Sequence, residues 1–95
     1  HGKLINMIET RIKITNKLGL HARASAKFVS TANRFQSQID VVKDQQKVNG
    51  KSIMGVMMLA ASQNSELELN IDGPDEEDMT KALTMLINDH FGEAE

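Results

Sequence analysis

The chain has no cysteine, tryptophan or tyrosine, and Pro74 is its single proline. Without thiols there is no disulfide framework, no thiolate nucleophile and no thiolate metal ligand. Three phenylalanines are the whole aromatic complement, which leaves little for nucleobases to stack on. The 11 basic and 13 acidic residues are interspersed without a basic stretch, so nucleic acid is excluded as a partner class. No apolar run approaches the ~18 residues of a membrane-spanning helix, so no membrane insertion is expected. What remains is a composition ordinary for a soluble globular protein, in a chain of 95 residues that suffices for one domain with one core. So small a core spares few side chains to line a deep pocket, and binding or relay chemistry fits better than small-molecule turnover.

Residues 1–7, HGKLINM, lack a long apolar segment and a small-residue cleavage site. They precede the first alternating stretch, and are read as an added or disordered start with His1 set aside. From Ile8, Ile8, Thr10, Ile12 and Ile14 alternate with Glu9, Arg11 and Lys13, which predicts a strand with one buried face. Ala22, Ala26, Val29 and Ala32, with Phe28 and Phe35 adjoining, predict a helix over about residues 22–34. QIDVVK and QKVNG form a hairpin about a turn at Asp44 and Gln45. In SIMGVMMLAA the spacing of Met54, Met57, Met58 and Ala61 favours a short helix, although Gly55 costs it roughly 1 kcal/mol relative to Ala. The three methionines are expected to divide between core and surface. ELELNI is the last strand. DGPDEED then opens a helix over about residues 76–90 with Asp75 as its cap, Glu76, Glu77 and Asp78 at its positive end, and a stripe of Met79, Ala82, Leu83, Leu86, Ile87 and His90.

The order βαββαβα, with one polar face per strand, predicts an α+β open-faced β-sandwich. Its four-stranded, mainly antiparallel sheet is covered on one face by three helices, with the last strand inserted between the first and second. The domain spans residues 8–92 and residues 93–95 are expected to fray.

Among residues able to carry chemistry, His21 stands at the start of the first helix. The free N–H groups of the first turn and the helix dipole welcome an anion such as phosphate there. Imidazole is nucleophilic when neutral. Position alone, however, is met more simply by an exposed cap histidine with no task. Arg23 could steady phosphoryl oxygens through its planar donors, or be a solvated surface arginine. Ser52 is most simply a helix N-cap and otherwise a modification site. Neither internal histidine has a second ligand at metal-binding spacing, so no metal is expected, and Ser25 and Ser30 lie in no nucleophile elbow.

GLHARASAKF, KSIMGVMMLAA and the DGPDEED helix start, in this order and spacing, resemble the HPr family over about residues 8–92. These are the histidine-containing phosphocarrier proteins of the phosphoenolpyruvate-dependent phosphotransferase system. The resemblance implies that His21 accepts a phosphoryl group from phosphorylated enzyme I, with Arg23 assisting, and passes it to enzyme IIA components. It implies a regulatory role for Ser52 under an HPr kinase/phosphorylase, and partner contacts through Ala24, Lys27, Met54 and Met57. It further implies a cytoplasmic monomer, without cofactor, that is loaded and unloaded rather than turning over a small substrate alone.

KSIMGVM favours the sugar-transport, serine-regulated branch over the nitrogen-related paralogue NPr. A small binding module in which His21 only caps a helix is the alternative outside the family. The chain departs from the common pattern where Ala24 and Ser25 replace Pro-Ala, which should loosen the first turn. FGEAE, running past the expected helix end, departs from the family feature of a chain terminus near the active histidine.

Overall fold

A computed structural model describes residues 7–94. The expectations for residues 1–6 and for Glu95 lie outside the described residues. Strand β1 (Ile8–Lys13) leads to helix α1 (Ala22–Ala32), the hairpin β2 (Gln38–Lys43) and β3 (Gln46–Asn49), helix α2 (Ile53–Met58), strand β4 (Glu66–Asp72) and helix α3 (Glu76–Asn88). The sheet order is β1-β4-β2-β3, every neighbouring pair antiparallel, with the last strand between the first and second as the sequence predicted.

Register follows the apolar alternation. Ile8 pairs with Ile71 and Ile12 with Leu67 across β1 and β4, and Ile39 pairs with Ile71 and Val41 with Leu69 across β2 and β4. A one-residue slip would turn this row to solvent. The helices cover that face alone, and Phe28, Val56, Met79, Leu83 and Ile87 complete the core with Leu67, Leu69 and Ile71. The other face is polar, and its Arg11–Glu66 and Arg11–Glu68 pairs at 3.9 and 4.0 Å are exposed contacts of little energetic weight.

Four local expectations are corrected. On α1 the buried residues are Ala24, Ser25, Phe28, Val29 and Ala32, while Ala22 is exposed and Ala26 only partly covered. Phe28, the largest side chain of the helix, sets its facing, and its neighbours at three and four residues follow it inward. On α2, Met54, Met57 and Met58 are all exposed, because a six-residue helix turns one side chain, Val56, onto the core. Leu59 and Ala61 after it are buried as well.

Asp75 does not cap α3 with its side chain. Its carboxylate instead accepts from Gln36 N and Ser37 N, both at 2.9 Å, and from Ser37 Oγ, pinning the entrance of β2 to the start of α3. These bonds, the Ser37 hydroxyl first, hold the Asp75 carboxyl below its ordinary pKa. Gly73 N donates instead to Glu76 Oε1 at 3.1 Å. Finally, α3 ends at Asn88, and His90 lies beyond it in a tight turn with positive φ.

Candidate functional site

The approach to His21 is a tight turn that depends on Gly19. Gly19 has φ +69°, and a Cβ there would fall 2.4 Å from the Ala61 carbonyl oxygen. Glycine is therefore required by both conformation and space. Leu20 N donates to that same Ala61 oxygen at 2.8 Å, and Asn16 Nδ2 donates to Gly19 O at 2.8 Å. Between them these bonds deliver His21 to the N-cap of α1 with extended backbone and no side-chain cap bond. Ser25 N donates to His21 O, and Ser25 Oγ donates to Leu20 O at 3.1 Å. The buried Ser25 thus fastens the first turn, one residue after Ala24, the position that proline holds in the common pattern. The N–H groups of Ala22, Arg23 and Ala24 precede the first intrahelical donor and remain free to face an anion.

The other wall of the site is the tail, which was expected to fray from residue 93. Instead a short 3-10 turn, His90–Gly92, folds the chain back through positive φ at His90, Phe91 and Gly92. Left-handed backbone costs a non-glycine residue about 1–2 kcal/mol. Full burial of Phe91 recovers an amount of the same order, and Lys27 Nζ donates to Phe91 O at 2.6 Å. Glu93 then lies against His21, with Oε2 at 2.6 Å from Nε2, while its Oε1 accepts from Asn16 Nδ2 at 3.0 Å. The two side chains are 29% and 16% exposed. Burial alone would raise the Glu93 pKa. The hydrogen bonds from Asn16 and His21, then the charges of His21 and Lys27, outweigh it and hold the carboxyl below its ordinary value. A signal for this fold-back was available, since Phe91 continues the apolar spacing of Ile87 by four.

In front of the histidine lies an open depression of ≈ 680 Å³ lined by Lys17, Leu18, His21, Ala22, Arg23, Glu93 and Ala94. Arg23 is exposed, and among the described residues it has no ion pair. The depression therefore combines a nucleophilic ring, free helix N–H groups and two basic side chains, Lys17 and Arg23, the set of donors that a phosphoryl group requires.

The family model for the PTS HPr component phosphorylation site matches residues 8–89. The chain is 56% identical over 89 residues to the phosphocarrier protein HPr of Neisseria meningitidis, covering 94% of this chain and all of that one. It is 51% identical over 85 residues to the phosphocarrier protein HPr of Pseudomonas aeruginosa, covering 88% and 94%. Among solved structures, HPr-C-His from Thermoanaerobacter tengcongensis superposes with a TM-score of 0.89 at 53% identity, covering 93% of this chain and 99% of that one. The chain belongs to the HPr family. It is by that membership a phosphocarrier of the phosphotransferase system.

The other residues that the HPr resemblance singled out fall into two groups. Ser52 caps α2, its Oγ accepting from Gly55 N at 3.1 Å, and the exposed Met54 and Met57 follow it on the same short helix. Lys27 lies on α1 and reaches the tail. Ala24 is fully buried and offers no surface to a partner, because it belongs to the face of α1 that Phe28 turns inward. Among the described residues no group of three or more histidines and carboxylates could hold a metal, and no helix is long and apolar enough to cross a membrane.

Proposed function

We propose that His21 is the phosphoryl acceptor of this HPr-family chain, loaded by phosphorylated enzyme I and unloaded to enzyme IIA components. A ring nitrogen of His21 forms a bond to phosphorus while the donor's bond to phosphorus breaks, its electron pair leaving with the donor. The observation that carries the reading is the place of the ring, partly exposed at the N-terminus of α1 and opening on a depression that Arg23 and Lys17 also line. Transferred oxygens there meet helix N–H groups and a guanidinium, which stabilise the charge of the moving group without having to reorganise.

Around this site, Met54 and Met57 form an adaptable apolar contact surface for both partners. Lys27 serves that docking indirectly, by holding the tail. Ser52, at the base of the same helix, is the regulatory position of a dedicated kinase/phosphorylase. The protein acts on no small substrate by itself. Incubation with enzyme I and phosphoenolpyruvate should give an acid-labile mass gain of one phosphate, and His21→Ala should keep the fold and show no gain. Phosphate still acquired by that variant would sink the assignment.

A further inference from the structure

Half of the chain's sulfur lies together on one short helix. Of the six methionines, Met79 is buried in the core and Met7 and Met85 belong to other segments, whereas Met54, Met57 and Met58 share the six residues of α2. Spacings of three and four put these three on one side of the helix. Met54 is 72% exposed, Met58 65% and Met57 39%. The core does not depend on them, because α2 is anchored by Val56 and by Leu59 and Ala61 after it, all buried. Ser52, whose Oγ accepts from Gly55 N, stands at the base of the same helix. With no cysteine in the chain, exposed thioethers are the groups that a two-electron oxidant attacks first.

We propose that Met54, Met57 and Met58 form a modification site for peroxide, and that their oxidation to sulfoxides weakens docking while leaving the fold intact. This rests on the reading of Met54 and Met57 as the contact surface of a phosphocarrier. A sulfur lone pair attacks one oxygen of hydrogen peroxide and the O–O bond breaks. The proton of the transferred oxygen passes to the departing hydroxide, which leaves as water. Sulfur is oxidised by two electrons and peroxide is reduced by two. The product is polar and chiral where the thioether was apolar and flexible. Docking must then bury an S–O dipole against a surface that had met a thioether, and the contact is lost. Methionine sulfoxide reductases restore the thioether, so the site is reversible. It acts on the same surface as a charge at Ser52, through polarity instead.

The test treats the full chain alone with dilute hydrogen peroxide, removes the peroxide, and then adds enzyme I and phosphoenolpyruvate. Peptide masses should show Met54 and Met58 gaining one oxygen first, Met57 more slowly and Met79 last. Thermal melting should be nearly unchanged. The KM of enzyme I for the oxidised chain should rise about tenfold with kcat nearly constant. Incubation with the two epimer-specific reductases and dithiothreitol should bring it back. Met54→Leu, Met57→Leu and Met58→Leu combined keep an apolar surface without sulfur, so peroxide should leave the KM of that variant where it was. Met85→Leu removes an exposed thioether from α3 and should leave the sensitivity to peroxide as in the native chain.

Oxidation of Met79 as fast as Met54, an unchanged KM after complete oxidation of α2, or an equal rise in the triple variant would each overturn the proposal. A fall in melting temperature large enough to account for the lost transfer would do so as well, since the modification would then act on the core. Failure of enzyme I to load the untreated chain would remove the carrier reading and with it the effect on transfer, while the order of oxidation, read by mass alone, would still decide the modification site.

Discussion

Asn16 and Glu93, 77 positions apart in the chain, are joined by a 3.0 Å bond from the amide to the carboxylate, and the same amide holds the Gly19 carbonyl at 2.8 Å. One buried side chain thus ties the turn before His21 to the tail behind it.

Asn16→Ala should therefore loosen both walls of the site at once. Leaving buried acceptors unpaired costs about 1–3 kcal/mol. In a domain of this size that lowers Tm by on the order of 10 °C, readable by calorimetry. Nitrogen-15 relaxation should show the turn and tail gaining mobility together, and a variant in which only one of them moves would show that the amide does not couple them.

Arg23→Ala should separate chemistry from stability. The side chain is exposed and has no ion pair among the described residues, so stability should change by no more than a surface substitution usually causes, within about 0.5 kcal/mol. Single-turnover transfer from phosphorylated enzyme I should slow roughly ten- to a hundredfold, the worth of one charge-assisted hydrogen bond. An unchanged rate would make Arg23 a surface charge.

At Ser52 two substitutions should diverge. Ser52→Ala removes the acceptor of the Gly55 N–H and should cost about 0.5–2 kcal/mol. Ser52→Asp keeps an acceptor and adds a negative charge at a helix start, so it should melt at or above the native chain. That charge stands beside Met54 and Met57, and uptake from enzyme I should slow through weaker binding. A Ser52→Asp chain that melts much lower yet transfers normally would reduce Ser52 to a structural cap.

Acid should act on two carboxylates. Asp75 and Glu93 both have folded pKa values below their ordinary ones, so the stability they contribute is complete above the unfolded carboxylate pKa of about 4 and is lost as pH falls through the depressed folded values. Ser37→Ala removes the largest cause of the Asp75 depression. Between neutral pH and about pH 3 this variant should therefore lose less stability than the native chain. An equal loss in denaturant titrations across that range would show that the Ser37–Asp75 bond does not set the acid response.

Strand alternation in IETRIKIT and ELELNI made the sheet legible, because a period of two admits one buried face and the register follows from it. The helix at 22–32 was legible, but not its facing, since small alanines constrain rotation weakly beside one phenylalanine. The methionines of α2 misled because helical spacing says which residues share a face and not which face is turned inward. His21 was placed by motif and position together. Its partner Glu93 was missed because the contact is made by a turn with successive left-handed residues at His90 and Phe91: apolar spacing marks Phe91 for burial but not the reversal of the chain that carries Glu93 back. Asp75 was marked as a cap from local spacing, whereas its partners Gln36 and Ser37 lie far away in sequence.

The strand order β1-β4-β2-β3 also governs how the molecule can come into being. β1 pairs with β4 alone, and β4 begins at Glu66. A growing chain can therefore form the β2–β3 hairpin early, while its first strand stays unpaired until Glu66 and the residues after it exist. Closing so distant a pair costs loop entropy before any contact repays it, which favours late, all-or-none assembly over stepwise accretion from the amino end. The residue that meets His21, Glu93, is made later still, so the site is assembled only after the sheet's last strand has been made.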